Sequence, residues 1–258
     1  MEFSLDITEI TVKSALVRSK IPGAEYVINP YLGCAHGCRY CYAVFMRRYS
    51  RQHASSPWGS FVEVKVNLLD ILTAELRRKK QPGRVFLASV CDPYQLVEAR
   101  YRLTRGCLEL LREHGWRINI LTRSPLVTRD LEILKEIPEV SVGFSIPTDN
   151  DRVRQILEPQ APPITARLQA LARLHDAGLH TWVFVAPMLP MRPERLFDAI
   201  APHIDHLMVD SLNYRQQVQA IFRQHGWDRA LTDEYARKTG VYLLNRWENR
   251  RSATALRS

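Results

Sequence analysis

The 258 residues carry 46% hydrophobic side chains, enough for a full core, and one domain is expected because α/β barrels reach this length undivided. No stretch approaches the ~20 continuous apolar residues of a membrane span, and the opening MEFSLDITEI is acidic with no apolar run of signal length, so membrane and secreted classes are set aside and a cytoplasmic protein is expected. The formal net charge of +9 favours an anionic partner such as nucleic acid, or else reflects basic side chains scattered over solvated faces.

Taken in order, residues 1–25 show a basic stretch from Lys13 to Lys20 and a turn at Pro22-Gly23. Tyr26-Val27-Ile28 is a short apolar run leading into a cysteine-rich loop, and Tyr42 to Met46 starts a helical pattern broken before Pro57. Phe61 to Val66 alternates as a half-buried strand would. Asn67 is placed to cap a helix with Leu68, Leu72 and Leu76 on one face, ended by Pro82-Gly83. From Arg84 the pattern turns regular. Apolar runs at 85–88, 118–121, 140–144, 181–185 and 207–209 alternate with helical patterns at 103–114, 128–137, 165–177 and 193–200. That alternation predicts βα units and a parallel sheet. With the strand before the cysteines it gives about six units, hence an α/β fold of the partial (β/α)6 TIM type with an open sheet. The core is expected over about 24–212, with a helical extension over 213–258.

Cys34, Cys38 and Cys41 are spaced Cys-x3-Cys-x2-Cys with no fourth cysteine nearby. Three thiolates on one loop suit a cubane iron–sulfur cluster that keeps one iron open to a small molecule. Structural zinc, with His36 as fourth ligand, is the rival reading, but zinc ligands usually come as two distant pairs and these cysteines lie within eight residues. In such barrels a ligand lies at the C-terminal ends of the strands, where the sequence places Ser89 to Gln95, Thr122-Arg123-Ser124, Ser145 to Thr148, and Ala186-Pro187. Each of these also reads as a turn or cap residue. Cys107 falls on an apolar helix face and is expected in the core. Cys91 ends a strand at the mouth, where it is either a hydrogen-atom donor or a small semi-buried residue.

The chain resembles the radical S-adenosylmethionine superfamily, and within it the spore photoproduct lyase family and its relatives in bacteria that do not sporulate. The likeness rests on Asn29-Pro30-Tyr31-x-Gly33-Cys34-x-His36-Gly37-Cys38-x-Tyr40-Cys41-Tyr42-Ala43, Asp92-Pro93-Tyr94-Gln95, Leu121-Thr122-Arg123-Ser124, Ser145-Ile146-Pro147-Thr148, Leu157-Glu158-Pro159 and Val185-Ala186-Pro187. It implies a 4Fe-4S cluster on Cys34, Cys38 and Cys41 that cleaves S-adenosylmethionine to a 5'-deoxyadenosyl radical, fed by an external electron donor of flavodoxin or ferredoxin type. It also implies cofactor contacts from Tyr40, Ser89, Asp92, Arg123, Ser145 and Ala186, with Arg123 standing where the lyase has a Lys that binds the methionyl carboxylate. Tyr40 and Tyr42 match a pair linked to returning the radical, and the lyase's hydrogen-donor Cys falls near Ser89 to Cys91. The implied substrate is a DNA lesion or nucleotide. The alternatives are a small molecule or peptide in biosynthesis, and a non-catalytic zinc-binding protein.

Overall fold

The computed structural model describes residues 5–255. Its strands are β1 (Asp6–Ile10), β2 (Val17–Arg18), β3 (Tyr26–Ile28), β4 (Tyr31–Leu32), β5 (Phe61–Lys65), β6 (Arg84–Leu87), β7 (Arg117–Thr122), β8 (Val140–Ser145), β9 (His180–Val185) and β10 (His206–Val209). Its helices are α1 (Leu68–Arg77), α2 (Glu98–Tyr101), α3 (Leu103–Glu113), α4 (Leu131–Glu136), α5 (Asp151–Leu157), α6 (Ile164–Asp176), α7 (Pro193–Ile200), α8 (Gln219–Gln224) and α9 (Asp233–Ala255).

The main sheet runs in the order β10-β9-β8-β7-β6-β3-β2. Every pairing from β3 to β10 is parallel, and β2 adds an antiparallel edge. The first and last strands in this order do not meet, so the barrel is open, as the alternation of runs predicts. Side chains alternate between the two sheet faces. One face carries Ile28, Leu87, Ile120, Val142, Phe144, Val183 and Val185, which are buried against helix residues such as Leu72, Leu108, Leu134, Leu171 and Leu196. The other, concave face carries the row Leu121, Gly143 and Trp182. There a Cβ on Gly143 would lie 2.2 Å from the Trp182 ring, so glycine is what lets the indole lie across the sheet.

Three local expectations change. Phe61–Lys65 does not join the main sheet: β5 forms a second sheet in the order β1-β5-β4. It is buried on both faces rather than one, with Glu63 accommodated by a hydrogen bond from Ser50 Oγ. Asn67 does not cap α1 with its side chain; its amide exchanges two 2.9 Å hydrogen bonds with the Val12 backbone. The segment after Cys41 is a 3-10 helix over Tyr42–Tyr49. Near the C-terminus, α9 buries Leu243 and Trp247 in the main core, and Tyr235 Oη donates to the Leu189 carbonyl at 2.7 Å. Among the described residues no helix is long and apolar enough to cross a membrane.

Candidate active site

The cysteine loop leaves β3, passes through β4 and is buried at most positions, so its backbone groups need partners inside the protein. Several segments supply them. Ala35 N donates to Gln95 Oε1 at 2.8 Å and Gln95 Nε2 donates to the Gly33 carbonyl at 3.3 Å. Arg39 N donates to the Leu157 carbonyl at 2.9 Å, and Gln160 N donates to the His36 carbonyl at 3.3 Å. Asn29 Oδ1 accepts from Ser89 N and Val90 N, which ties the loop's origin to the turn after β6. That turn begins at Ala88, whose φ of 62° places a non-glycine residue in the left-handed region, at a cost of about 1–2 kcal/mol. Gly33 has φ +88°, and a Cβ there would sit 2.5 Å from the Phe61 carbonyl oxygen.

Cys34 and Cys38 are buried, Cys41 is half-buried, and all are free. Burial pushes the Cys38 thiol up to about 12, although Arg123 pulls the other way. Burial likewise raises Cys34 well above the ordinary thiol range, and it raises Cys41 against the N–H groups of Ala43, Trp58 and Val44. The free loop therefore holds thiols, and a metal must displace their protons to bind. His36, the residue a tetrahedral zinc site would recruit, has Nε2 3.2 Å from Asp92 Oδ2 instead. Three sulfur donors are the donor set of a cluster with three protein ligands, and among the described residues no three such side chains already converge on a metal position.

Buried carboxylates frame the loop. Asp92 accepts from Thr122 Oγ1 at 2.7 Å, Tyr94 N at 2.9 Å and Arg123 N at 2.7 Å. Burial alone would raise its carboxyl, but His36 and these donors outweigh it and hold it at about 2. Glu158 accepts from Arg123 Nε at 2.8 Å, from Arg167 Nη2 at 2.5 Å and from Tyr40 Oη. Burial again pushes up, and the Arg167 and Arg123 guanidinium groups bring it down to about 2. Glu98 accepts from Tyr31 Oη, from Thr104 N and Arg105 N, and from Arg129 Nη2 at 2.8 Å.

Most of the residues singled out in the sequence meet here. Arg123 touches Glu158 and, through Nη2, Tyr40 Oη at 3.3 Å, which leaves its Nη1 without a hydrogen-bonded partner among the described residues. Tyr42 Oη donates to the Ser89 carbonyl. Cys91 is half-buried, with its sulfur toward Lys65 and the Tyr31 N–H, and burial pushes its thiol up to about 12. Ser145 ends β8; its Oγ is buried with no hydrogen-bond partner, and its carbonyl accepts from Arg167 Nη1 at 3.0 Å. Ala186 follows β9 on the neighbouring strand and is half-buried. Asp92 is committed to protein donors, and Cys107 is in the core as expected. Sequence reading left Arg167 unremarked and quoted Asn29, Gln95 and Glu158 within motifs without giving them a role. Gln95, Glu158 and Arg167 are fully buried polar side chains, and nothing in their local sequence marks that burial.

A model of the radical SAM superfamily matches residues 28–201. An uncharacterized protein of Methanocaldococcus jannaschii is 35% identical over 190 residues, covering 74% of this chain and 70% of that protein. An uncharacterized protein of Mycobacterium tuberculosis is 35% identical over 209 residues, covering 78% of this chain but only 59% of its own length. Among solved structures, a spore photoproduct lyase mutant with bound AdoMet and dinucleoside spore photoproduct has a TM-score of 0.59 and 20% identity, and the match covers 85% of this chain and 66% of the lyase. At that identity the likeness is one of fold.

Proposed function

This chain belongs to the radical SAM superfamily, and from that premise we propose that it is a radical enzyme acting on a nucleic-acid lesion or nucleotide. In this reading Cys34, Cys38 and Cys41 would hold a 4Fe-4S cluster, the strand-end residues would bind S-adenosylmethionine, and an external donor of flavodoxin or ferredoxin type would supply the electron. When bound, the pair supplies one-electron cleavage of the sulfonium and with it the means to remove a hydrogen atom from substrate.

The protein's own part is placement. Arg123 offers Nη1 to the methionyl carboxylate while Glu158 and Tyr40 fix the plane of its fork, so the charge-assisted contact forms with little reorganisation. Ser145 Oγ, buried without a partner, would gain one from the same ligand, and the Val185-Ala186 backbone would meet its adenine edge. Asp92 and Ser89 act through their neighbours: the first holds Arg123 N and His36, the second anchors Tyr42. In this reading Cys91, whose thiol burial keeps protonated, is the hydrogen-atom donor.

The substrate class rests on one observation. Between Glu25 and Glu63 the sequence has no Asp or Glu and four arginines, Arg39, Arg47, Arg48 and Arg51. In this stretch the 3-10 helix after Cys41 exposes Phe45 at 39% and Tyr49 at 63%, with the Arg48 guanidinium 5.2 and 5.5 Å from their ring centroids. Exposed aromatics interleaved with arginine stack bases and contact phosphates.

Anaerobic reconstitution with iron and sulfide, followed by S-adenosylmethionine and dithionite, tests the chemistry. Wild type should release 5'-deoxyadenosine and Cys38→Ala should not. Anisotropy of a labelled single-stranded oligonucleotide tests the substrate class: affinity should fall steeply with salt. Release of 5'-deoxyadenosine without oligonucleotide binding at low salt would move the substrate to a small molecule or peptide.

A further inference from the structure

Two basic segments serve neither the core nor the mouth. Residues 11–24 hold Lys13, Arg18 and Lys20, and residues 76–83 hold Arg77, Arg78, Lys79 and Lys80, with no Asp or Glu in either span. All of these cations are exposed.

The fold brings the two spans together. Ala15 N and Leu16 N donate to the Glu75 carboxylate at 3.2 and 2.7 Å, and β2 runs antiparallel to β3 with Arg18 opposite Tyr26. The Tyr26 ring then collects a cation from each span. Arg18 Cζ lies 4.6 Å from its centroid and Lys79 Nζ 4.4 Å, and Lys79 Nζ also donates to Tyr26 Oη at 2.8 Å. The acids that border the patch are occupied, Glu75 by the two N–H groups above and Glu25 by Arg84 N at 3.3 Å. Among the described residues the side chains of Lys13, Lys20, Arg77, Arg78 and Lys80 have no hydrogen-bond or ion-pair partner. The C-terminal end of α1 attracts positive charge, which accounts for a cation or two near Arg77. It does not account for a run of four joined by three more from another segment, whose mutual repulsion is relieved when an anion sits among them.

We propose that this surface holds the phosphate backbone of a nucleic-acid strand, as a second contact remote from the mouth. This rests on the reading that the substrate is nucleic acid. Val17 is the one large hydrophobic side chain that the two spans expose, and they expose no aromatic. The surface is therefore suited to neutralising phosphates and not to stacking bases, and one valine is too little apolar area to seat the protein on a membrane. Residues 77–83 lead into Arg84 at the start of β6, whereas the cysteine loop leaves the far end of β3, which runs parallel to β6. β6 and β7, four and six residues long, put about 13–20 Å of strand between patch and mouth at about 3.3 Å per residue.

Anisotropy over a salt series tests the proposal with single-stranded oligonucleotides of about 6 and about 30 nucleotides, the shorter held at the mouth by stacking and the longer able to reach the patch as well. On the long strand, Arg77→Gln/Arg78→Gln and Lys13→Gln/Lys20→Gln should each weaken binding and lower the log–log salt slope by about 1.4, at about 0.7 per phosphate contact. On the short strand both should match wild type. Lys135→Gln/Arg173→Gln removes equal charge from exposed positions on α4 and α6 and should match wild type on both strands. Wild-type slopes for both patch variants on the long strand would overturn the proposal, and so would an equal drop in the control variant, which would make the effect one of net charge. Patch variants that lose binding to phosphatidylglycerol vesicles but keep the oligonucleotide would overturn it in favour of a membrane surface. If wild type binds neither strand at low salt, the nucleic-acid reading itself fails; if wild type and variants bind alike, only the second contact does.

Discussion

The helix-covered face of the main sheet and the rim that carries the cysteine loop are built from different materials. The first is Leu, Ile, Val and Phe, with Leu72, Leu108, Leu134, Leu171 and Leu196 fully buried. At the rim the buried groups that gather the most donors are carboxylates: Asp92, Glu98 and Glu158 are each 5% exposed or less and each gathers donors from several segments. Apolar packing is non-directional and tolerates substitutions that conserve volume. A buried carboxylate with several donors fixes angles as well as distances, and truncating it strands its partners. The rim is therefore the specific part of the molecule and the packed face the forgiving one.

The sharpest way to break this contrast is Glu158→Ala. It leaves Arg167, itself 0% exposed, as an uncompensated buried charge, at a cost of about 3–5 kcal/mol, to be read from the urea midpoint. It should also abolish S-adenosylmethionine binding, because Arg123 loses its anchor. Leu171→Ala should cost about 2–5 kcal/mol yet leave ligand affinity near wild type in the folded protein, measured by calorimetry. Equal losses of affinity in the two variants would erase the distinction.

Next in size is Gly33→Ala, which combines a φ of +88° with a Cβ 2.5 Å from the Phe61 carbonyl. We expect a loss of about 1–3 kcal/mol and reduced iron uptake on reconstitution.

Acid should find the rim before the packed face. Asp92 and Glu158 titrate in the folded protein at about 2, below their ordinary values of 3.8 and 4.5. Since the folded values are depressed, the stability they contribute is complete above about pH 5 and is lost as the pH falls through 4 toward 2. Urea midpoints measured over this range should slope downward in wild type, and Asp92→Asn should flatten part of that slope. Smallest is Tyr42→Phe, which removes the donor to the Ser89 carbonyl and should cost about 0.5–1.5 kcal/mol by thermal denaturation.

The same contrast explains what could be read from the sequence. The parallel strands were legible because β7, β8 and β9 are apolar runs flanked by helical periodicity. In contrast, β1 and β2 are exposed, mixed in character and short, so no period distinguishes them from loop. β5 alternates like a half-buried strand, but Glu63 occupies a buried position satisfied by Ser50, a pairing thirteen residues apart that no pattern predicts. The cysteines and the polar strand ends were visible as residue types at spacings that chemistry requires. Arg167 was not, because a charged residue on a helix reads as solvated until its carboxylate, on a different segment, is known. Asn67 had the right identity for a cap, and tertiary contact with Val12 used its amide instead.

The anchoring of the cysteine loop bears on how the molecule breathes. The loop is bonded at its start to β5 of the small sheet, through β4, and in its middle to the α5–α6 connection of the main body. Anything bound only by the intact loop stabilises these junctions together by mass action. Amide exchange in the small sheet and in residues 156–160 should then slow in concert when the loop is loaded, although the two regions share no hydrogen-bond ladder, and their protection becomes a reporter of occupancy that needs neither substrate nor turnover.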